Sequence, residues 1–443
     1  MERYSEYKDS GVKWLGEIPS HWKVEPFGRH FSFRKGLPIT KANLIDSGEA
    51  VISYGQIHAK ENLGTTMSES LVRYVSRDYL KSHPQCLLTK DDFVFADTSE
   101  DIGGSGNFVY NDFPANIFAG YHTIVAKQSG LYNPSYYAYL FKSECWRNHI
   151  RSLVNGVKVY SIGRKQLKSN FLLFPSYKEQ DAIVRYLDAA TSKIDKAIAM
   201  QQKMIDLLNE RKQIIIQNAV TKGLDENVEM KDSGVEWIGM IPKHWEISKL
   251  KYLIDAPLKY GANEASDLID YSCPRYIRIT DIDTNGKLKE ETYRSLPMNK
   301  AEPYLLKKGD LLFARSGATV GKAFLFEEDY AACYAGYLIK AHMDLQKVLP
   351  KFVYLYTQTF AYQRWKESIF IQATIQNISG ERYANMQIPM PTLEEQNNII
   401  DMLTPKMLRF DSAISNCQRQ IALLQERKQI IINEVVTGKV KVS

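Results

Sequence analysis

The chain has 443 residues, 44% apolar and 24% charged, enough to bury a substantial core in about two to four domains. Lys plus Arg number 57 against 51 Asp plus Glu, a net charge of +6 that permits a polyanion partner without requiring one. No run approaches the roughly 20 apolar residues of a membrane span and the polar start MERYSEYKDS is no signal peptide, so a cytoplasmic protein with no membrane partner is expected.

In chain order, the first feature is KDSGVKWLGEIPSHW, from Lys8 to Trp22, because it recurs as KDSGVEWIGMIPKHW from Lys231 to Trp245. Eleven of fifteen positions are identical at an offset of 223, and an internal repeat organises a fold before any local motif does. The repeated His21-Trp22 and His244-Trp245 predict an anchor with the tryptophan buried and the histidine hydrogen-bonded.

Next come runs such as DDFVFA and TIVAK, and RYIRIT and DLLFA in the second half, whose β-branched and aromatic residues predict strands. Helices are predicted near Tyr136 to Arg151 and Phe352 to Ser368. Each interior therefore predicts an α+β domain of about 150 residues. The interiors agree only in outline, as in LTKDDFVFADTS from Leu88 against LKKGDLLFARSG from Leu306, or AGYHTIVAK from Ala119 against AGYLIKAH from Ala335. A duplicated frame around divergent interiors is expected if the frame holds a shared shape while each interior reads something different; duplication followed by drift gives the same pattern.

After each interior stands a capping box, Pro175-Ser176 with Glu179 and Pro391-Thr392 with Glu395. Val184, Leu187, Thr191, Ile194, Ile198, Gln201, Ile205, Leu208, Lys212, Ile215 and Ala219 then follow alternating steps of three and four, a heptad seam. The same positions 216 residues later, from Ile400 to Val435, are almost all apolar. A helix over about 176 to 220 would reach roughly 65 Å at 1.5 Å per residue. Pro405 predicts a kink near Met402 to Thr404, and Gly223 and Gly438 predict the helix ends. Packed antiparallel, the helices would carry one domain near each end about a pseudo-twofold axis, with the ends of the chain close in space.

Candidate chemistry is sparse. Asn133-Pro134-Ser135-Tyr136 is close to the NPPY signature of adenine methyltransferases, but Ser135 replaces the second proline and no glycine-rich cofactor loop precedes it. Gly317 to Lys322 is one residue short of a phosphate-binding loop and is followed by Ala323, yet Arg315, Ser316, Thr319 and Lys322 offer donors to phosphates or base edges. Lys158, Tyr160, Ser161, Arg164 and Lys165 form a basic segment with an interleaved aromatic, and Gln372, Thr374, Gln376 and Asn377 are its polar counterpart. Arg278 and Thr280 of RYIRIT complete the candidate DNA-binding set, since Arg and amide side chains pair bidentately with guanine or adenine. Each of these segments reads equally as a solvated loop. Cys86, Cys145, Cys273, Cys333 and Cys417 are odd in number and without a CxxC pair, which fits small buried side chains in a reducing compartment rather than a zinc site.

The KDSGVxWxGxIPxHW segment, the GDLLFARSGATVGK strand and loop, and the capped PTLEEQ helix ending in ERKQII, all arranged twice, resemble the specificity subunits of type I restriction-modification systems. The resemblance covers essentially the whole chain. It implies target recognition domains at residues 1–174 and 224–390, and long helices at 175–223 and 391–443. It implies that each domain reads one half of a split double-stranded DNA target. It further implies that the helices dock two modification subunits, which carry S-adenosylmethionine and methylate adenine, and that restriction subunits add ATP- and Mg-dependent translocation and cleavage. The chain itself would hold no cofactor and no catalytic residue. A self-sufficient methyltransferase or nuclease is the alternative, and it would need cofactor or metal motifs that these residues do not form.

Overall fold

A computed structural model describes residues 2–113, 116–156, 158–265, 267–283, 286–317, 319–370 and 376–442. The repeated KDSGV segment is a hairpin in both copies: Tyr7–Asp9 pairs with Glu17–Pro19, and Met230–Asp232 with Met240–Pro242. The Asp9 carboxylate accepts from the Gly11 N–H at 3.0 Å, and Asp232 from Gly234 at 2.9 Å. These turns place Gly11 and Gly234 at φ of +70° and +71°, which a side chain would resist.

The contacts divide the chain into two compact units, residues 1–201 with 419–443 and residues 202–418, a cut that crosses both long helices. In the first unit, an antiparallel sheet has the order Phe108–Tyr110, Phe93–Ala96, Thr123–Gln128, Phe31–Lys35. A second sheet contains the parallel pair Glu49–Ile52 and Ile117–Ala119. The second unit repeats the plan, with Ala323–Leu325, Leu311–Ala314, Leu338–Ala341 and Lys259–Tyr260 in one sheet. Its parallel pair is Arg275–Ile277 with Ala332–Tyr334.

The central strands explain their own apolar runs. Alternate residues point to opposite faces, so Phe93 and Phe95 join the core with Phe141 and Trp146, while Val94 and Ala96 pack with Ile52 and Ile117. Leu311 and Phe313 likewise face Phe352 and Tyr362, and Leu312 and Ala314 face Ile277 and Tyr334. A strand buried on both faces reads as continuous rather than alternating hydrophobicity. The predicted helices are each split in two, Pro134–Lys142 with Glu144–Leu153 and Pro350–Tyr356 with Phe360–Phe370. Finally, Lys23–Pro26 pairs with Phe171–Phe174, and Glu246–Lys249 with Gln387–Met390, so each interior is clamped where it begins and ends.

Both capping boxes form, and each does more than cap. Glu179 accepts from the Ser176 N–H and hydroxyl through one oxygen, while its other oxygen accepts from the Trp22 indole at 3.1 Å and lies 2.7 Å from His21 Nε2. Glu395 does the same for Thr392, Trp245 and His244. Burial works against the Glu395 charge, but the bonds from His244, Trp245 and Thr392 outweigh it and hold the carboxyl at about 2.

The long helices span Tyr177–Lys222 and Leu393–Val436, ending at Gly223 and Gly438 with φ of +79° and +72°. Every position of the expected seam is buried or half-buried. In the first unit the pairing is antiparallel. The Asn133 N–H donates to Gln180 Oε1 near the start of one helix, the Tyr136 hydroxyl donates to the Val436 carbonyl near the end of the other, and further along Lys428 bridges to Asp195 at 2.6 Å. The second unit carries the same bridge 216 residues displaced, Lys212 to Asp411 at 2.6 Å. The second helix continues through Pro405, where the Thr404 hydroxyl donates to the Ile400 carbonyl at 2.7 Å. Residues near the two ends of the chain meet as expected, the Lys441 N–H donating to the Glu2 carbonyl at 2.9 Å.

Candidate nucleic-acid interface

In the second unit, the strand Leu311–Ala314 runs out of the sheet into Arg315 and Ser316, and Ser316 forms a bridge with Asn377. The Ile378 N–H donates to the Arg315 carbonyl at 2.8 Å. Two segments far apart in sequence are thereby joined into one edge. The Arg315 guanidinium lies 5.0 Å from the centroid of the Tyr260 ring, and the Tyr260 hydroxyl accepts from the Gly380 N–H at 2.9 Å. Tyr337, 63% exposed, lies beside it through a bond from the Arg315 N–H to its carbonyl at 3.0 Å. Arg315 Nε and Asn377 Oδ1 are buried without a hydrogen-bond partner, an expense ordinarily met where a ligand or water completes the set.

The first unit builds the same edge from different side chains. Thr98–Ser99 pairs with Tyr160–Ser161, so the basic segment lies against the loop after the central strand. The Ile162 N–H donates to the Asp97 carbonyl at 2.9 Å, the equivalent of the Ile378 bond. Asp97 lies 3.2 Å from His122 Nδ1, and the Tyr54 hydroxyl donates to Glu100 at 3.1 Å.

The remaining expected residues scatter. Lys158 is exposed, and Arg164 and Lys165 are exposed on the short helix Arg164–Ser169. Thr319 sits in the turn closed by Gly317 and Gly321, both at φ +82°, which joins two strands of the sheet. Lys322 lines a separate cleft. Arg278 directs its fork at Asp281, with bonds of 3.0 and 2.8 Å, while Thr280 is exposed beside it. Gln376 is exposed next to Asn377, and Gln372 and Thr374 lie outside the described residues. Asn133 of the methyltransferase-like signature is a helix cap, its side chain accepting from the Ser135 and Tyr136 N–H groups.

The cleft lined by Lys322 has a volume of about 570 Å³ and is bounded by Gln213, Gln358, Gln363 and Lys366. A cleft of about 220 Å³ in the first unit is lined by Gln429, Lys142, Arg147 and Asn107. Burial pushes Lys142 down to about 8 and Arg147 down to about 10. Among the described residues no His, Cys, Asp and Glu cluster is arranged to hold a metal ion, and the five cysteines are unpaired, with Cys86 and Cys333 buried. No helix among them is long and apolar enough to cross a membrane.

Sequence reasoning missed Tyr260, Tyr337, Asp97 and His122. Aligning the two copies around the central strand pairs Asp97 with Arg315, a signal the repeat already contained.

The family model for the type I restriction modification DNA specificity domain matches residues 19–204 and again 242–424. The chain is 22% identical to the type I restriction enzyme MjaVIII specificity subunit of Methanocaldococcus jannaschii, over 98% of this chain and 97% of that one. It is also 22% identical to the EcoBI specificity subunit of Escherichia coli over 66% and 62% of the two chains. A solved chain from work on complex assembly and conformational transition of the type I R-M system shares the fold, with a TM-score of 0.64 at 15% identity over 96% of this chain and 99% of the other. With the frame, the sheet order and the reading edge all present twice, this chain belongs to the type I restriction-modification DNA specificity family and carries two specificity domains in tandem.

Proposed function

We propose that the chain is the sequence-reading subunit of a type I restriction-modification enzyme, each domain recognising one half of a bipartite double-stranded DNA target. The observation that carries this reading is one backbone frame, built twice, that presents different polar side chains at equivalent positions: Asp97, Thr98 and Ser161 in one copy, Arg315, Ser316 and Asn377 in the other. Backbone contacts that fix register and side chains that read base edges are the division of labour DNA recognition requires. The exposed cations beside the first edge, Lys158, Arg164 and Lys165, supply the phosphate contacts.

In this reading the long helices dock two modification subunits, which bind S-adenosylmethionine and methylate adenine, and restriction subunits contribute ATP- and Mg-dependent translocation and cleavage. The chain contributes no catalytic group and acts in the cytoplasm. Exposed Met200, Met204, Leu207, Leu408 and Leu423 on the helices supply apolar surface for such docking.

Replacing residues 25–172 with those of another family member tests the assignment. Mapping methylated sites should show one half of the target changed and the other retained; a change in both halves would refute independent reading. Methyl transfer by the purified chain free of partners would refute its non-catalytic role.

A further inference from the structure

The central strand of each sheet delivers one residue to the same place. The Asp97 N–H donates to the His122 carbonyl at 3.1 Å and the Asp97 carbonyl accepts from Ile162 at 2.9 Å; for Arg315 the partners are Tyr337 at 3.0 Å and Ile378 at 2.8 Å. The two backbones are fixed identically, and the two side chains have opposite charge and opposite hydrogen-bonding sense.

The Arg315 guanidinium is held over the Tyr260 ring, 5.0 Å from its centroid, and Tyr260 is itself fixed by its bond from Gly380. A cation held over a ring face is positioned without spending its hydrogen-bond donors on a protein acceptor. With Nε buried, the outward donors are the two terminal nitrogens, the pair that matches guanine O6 and N7. Asp97 offers acceptors alone when ionised, and with Oδ1 3.2 Å from His122 Nδ1 the oxygen left for a base is Oδ2. Phosphate repels a carboxylate, so on a DNA-facing edge its favourable partner is an exocyclic amino group, cytosine N4 or adenine N6.

We propose that this shared position is a specificity-determining position in both domains: Arg315 pairs with a guanine in one half-site, and Asp97 accepts from an exocyclic base amine in the other. The proposal rests on the reading of the chain as a DNA-specificity subunit.

The test is selection from a randomised duplex library by the full chain in complex with its modification subunits, comparing wild type with Arg315→Ala, Arg315→Lys, Asp97→Ala and Asp97→Asn. Thermal unfolding of each variant checks that it is folded. Arg315→Ala is expected to lose a guanine preference of roughly 5- to 150-fold at one position of one half-site, with the other half-site unchanged. Arg315→Lys should restore affinity more than preference, since a point charge lacks the fork. Asp97→Ala should relax a cytosine or adenine position in the other half-site. Uniform weakening on every sequence would mean a phosphate contact and overturn the proposal, as would retention of both preferences. A wild-type complex that selects no motif at all would instead remove the DNA-specificity reading itself.

Discussion

The two clefts occupy equivalent places in the repeat and hold different amounts of space. Gln213 and Gln429, 216 residues apart, line the larger and the smaller one respectively. Gln358 and Gln363 line the larger where Lys142 and Arg147 line the smaller. In the first unit the cations reach across, Lys142 to the Leu63 carbonyl and Arg147 to the Gly103 carbonyl at 2.8 Å, and burial lowers the pKa of both. In the second unit neutral amides stand at those two positions, and the lysines that line the cleft, Lys322 and Lys366 among them, come from elsewhere in the domain. The frame therefore fixes backbone and leaves side-chain volume and charge free to differ, and a domain that fills its cleft with cations carries their desolvation.

The largest effects should come from what the two units share. Glu179→Ala or Glu395→Ala removes a cap worth about 1 kcal/mol and strands a buried indole N–H at a further 1–3 kcal/mol or so, so calorimetry should show a loss of about 2–4 kcal/mol from either. A much smaller loss in one copy would show that the frame is not equally stressed. Because the Glu395 pKa is depressed, its contribution is complete above the ordinary carboxylate range and is lost as pH falls from 4.5 through about 2. The stability gap between wild type and Glu395→Gln should close over that interval.

A smaller effect, of opposite sign in the two units, should follow from exchanging the cleft contents. Lys142→Met should stabilise the first unit by about 1 kcal/mol at pH 7, and Gln358→Lys should destabilise the second by a similar amount, read as shifts of roughly 2–4 °C in the relevant transition. Lys142 binds its proton less tightly folded than unfolded, so its penalty is complete below pH 8 and is relieved as pH rises from about 8 towards 10.5. An unchanged pH profile in Lys142→Met would show that the lysine is not desolvated.

The smallest effect belongs to the paired bridges. Double-mutant cycles on Lys428 with Asp195 and on Lys212 with Asp411 should each give about 0.3–1 kcal/mol, since one partner of each pair is well exposed. Coupling in one unit and none in the other would break the equivalence of the helix pairs.

Much of this was legible from local patterns. Capping boxes, heptad steps and helix-ending glycines are short-range devices, so Ser176, Glu179, Gly223 and the seam were readable one turn at a time. What could not be read depends on register between distant segments. His21 and Trp22 pointed to an anchor, but nothing local named Glu179 as its partner 157 residues on. Arg315 stood out as a cation, while Tyr260 on a different strand supplies its orientation. Arg278 looked equally available until Asp281, buried three residues away, took up its fork.

The clamp that closes each interior turns a loop of some 150 residues into a cassette. Glu25 faces Leu172 across one ladder, and Ser248 faces Ile388 across the other. A recombination event that cuts at such a facing pair removes everything between them at a single rung. The flanking hairpin, the Trp anchor and the capped helix start all lie outside the cut. New reading edges can then be acquired whole, by exchange of DNA, wherever the incoming interior keeps the contacts that Asn133 and Tyr136 make with the long helices.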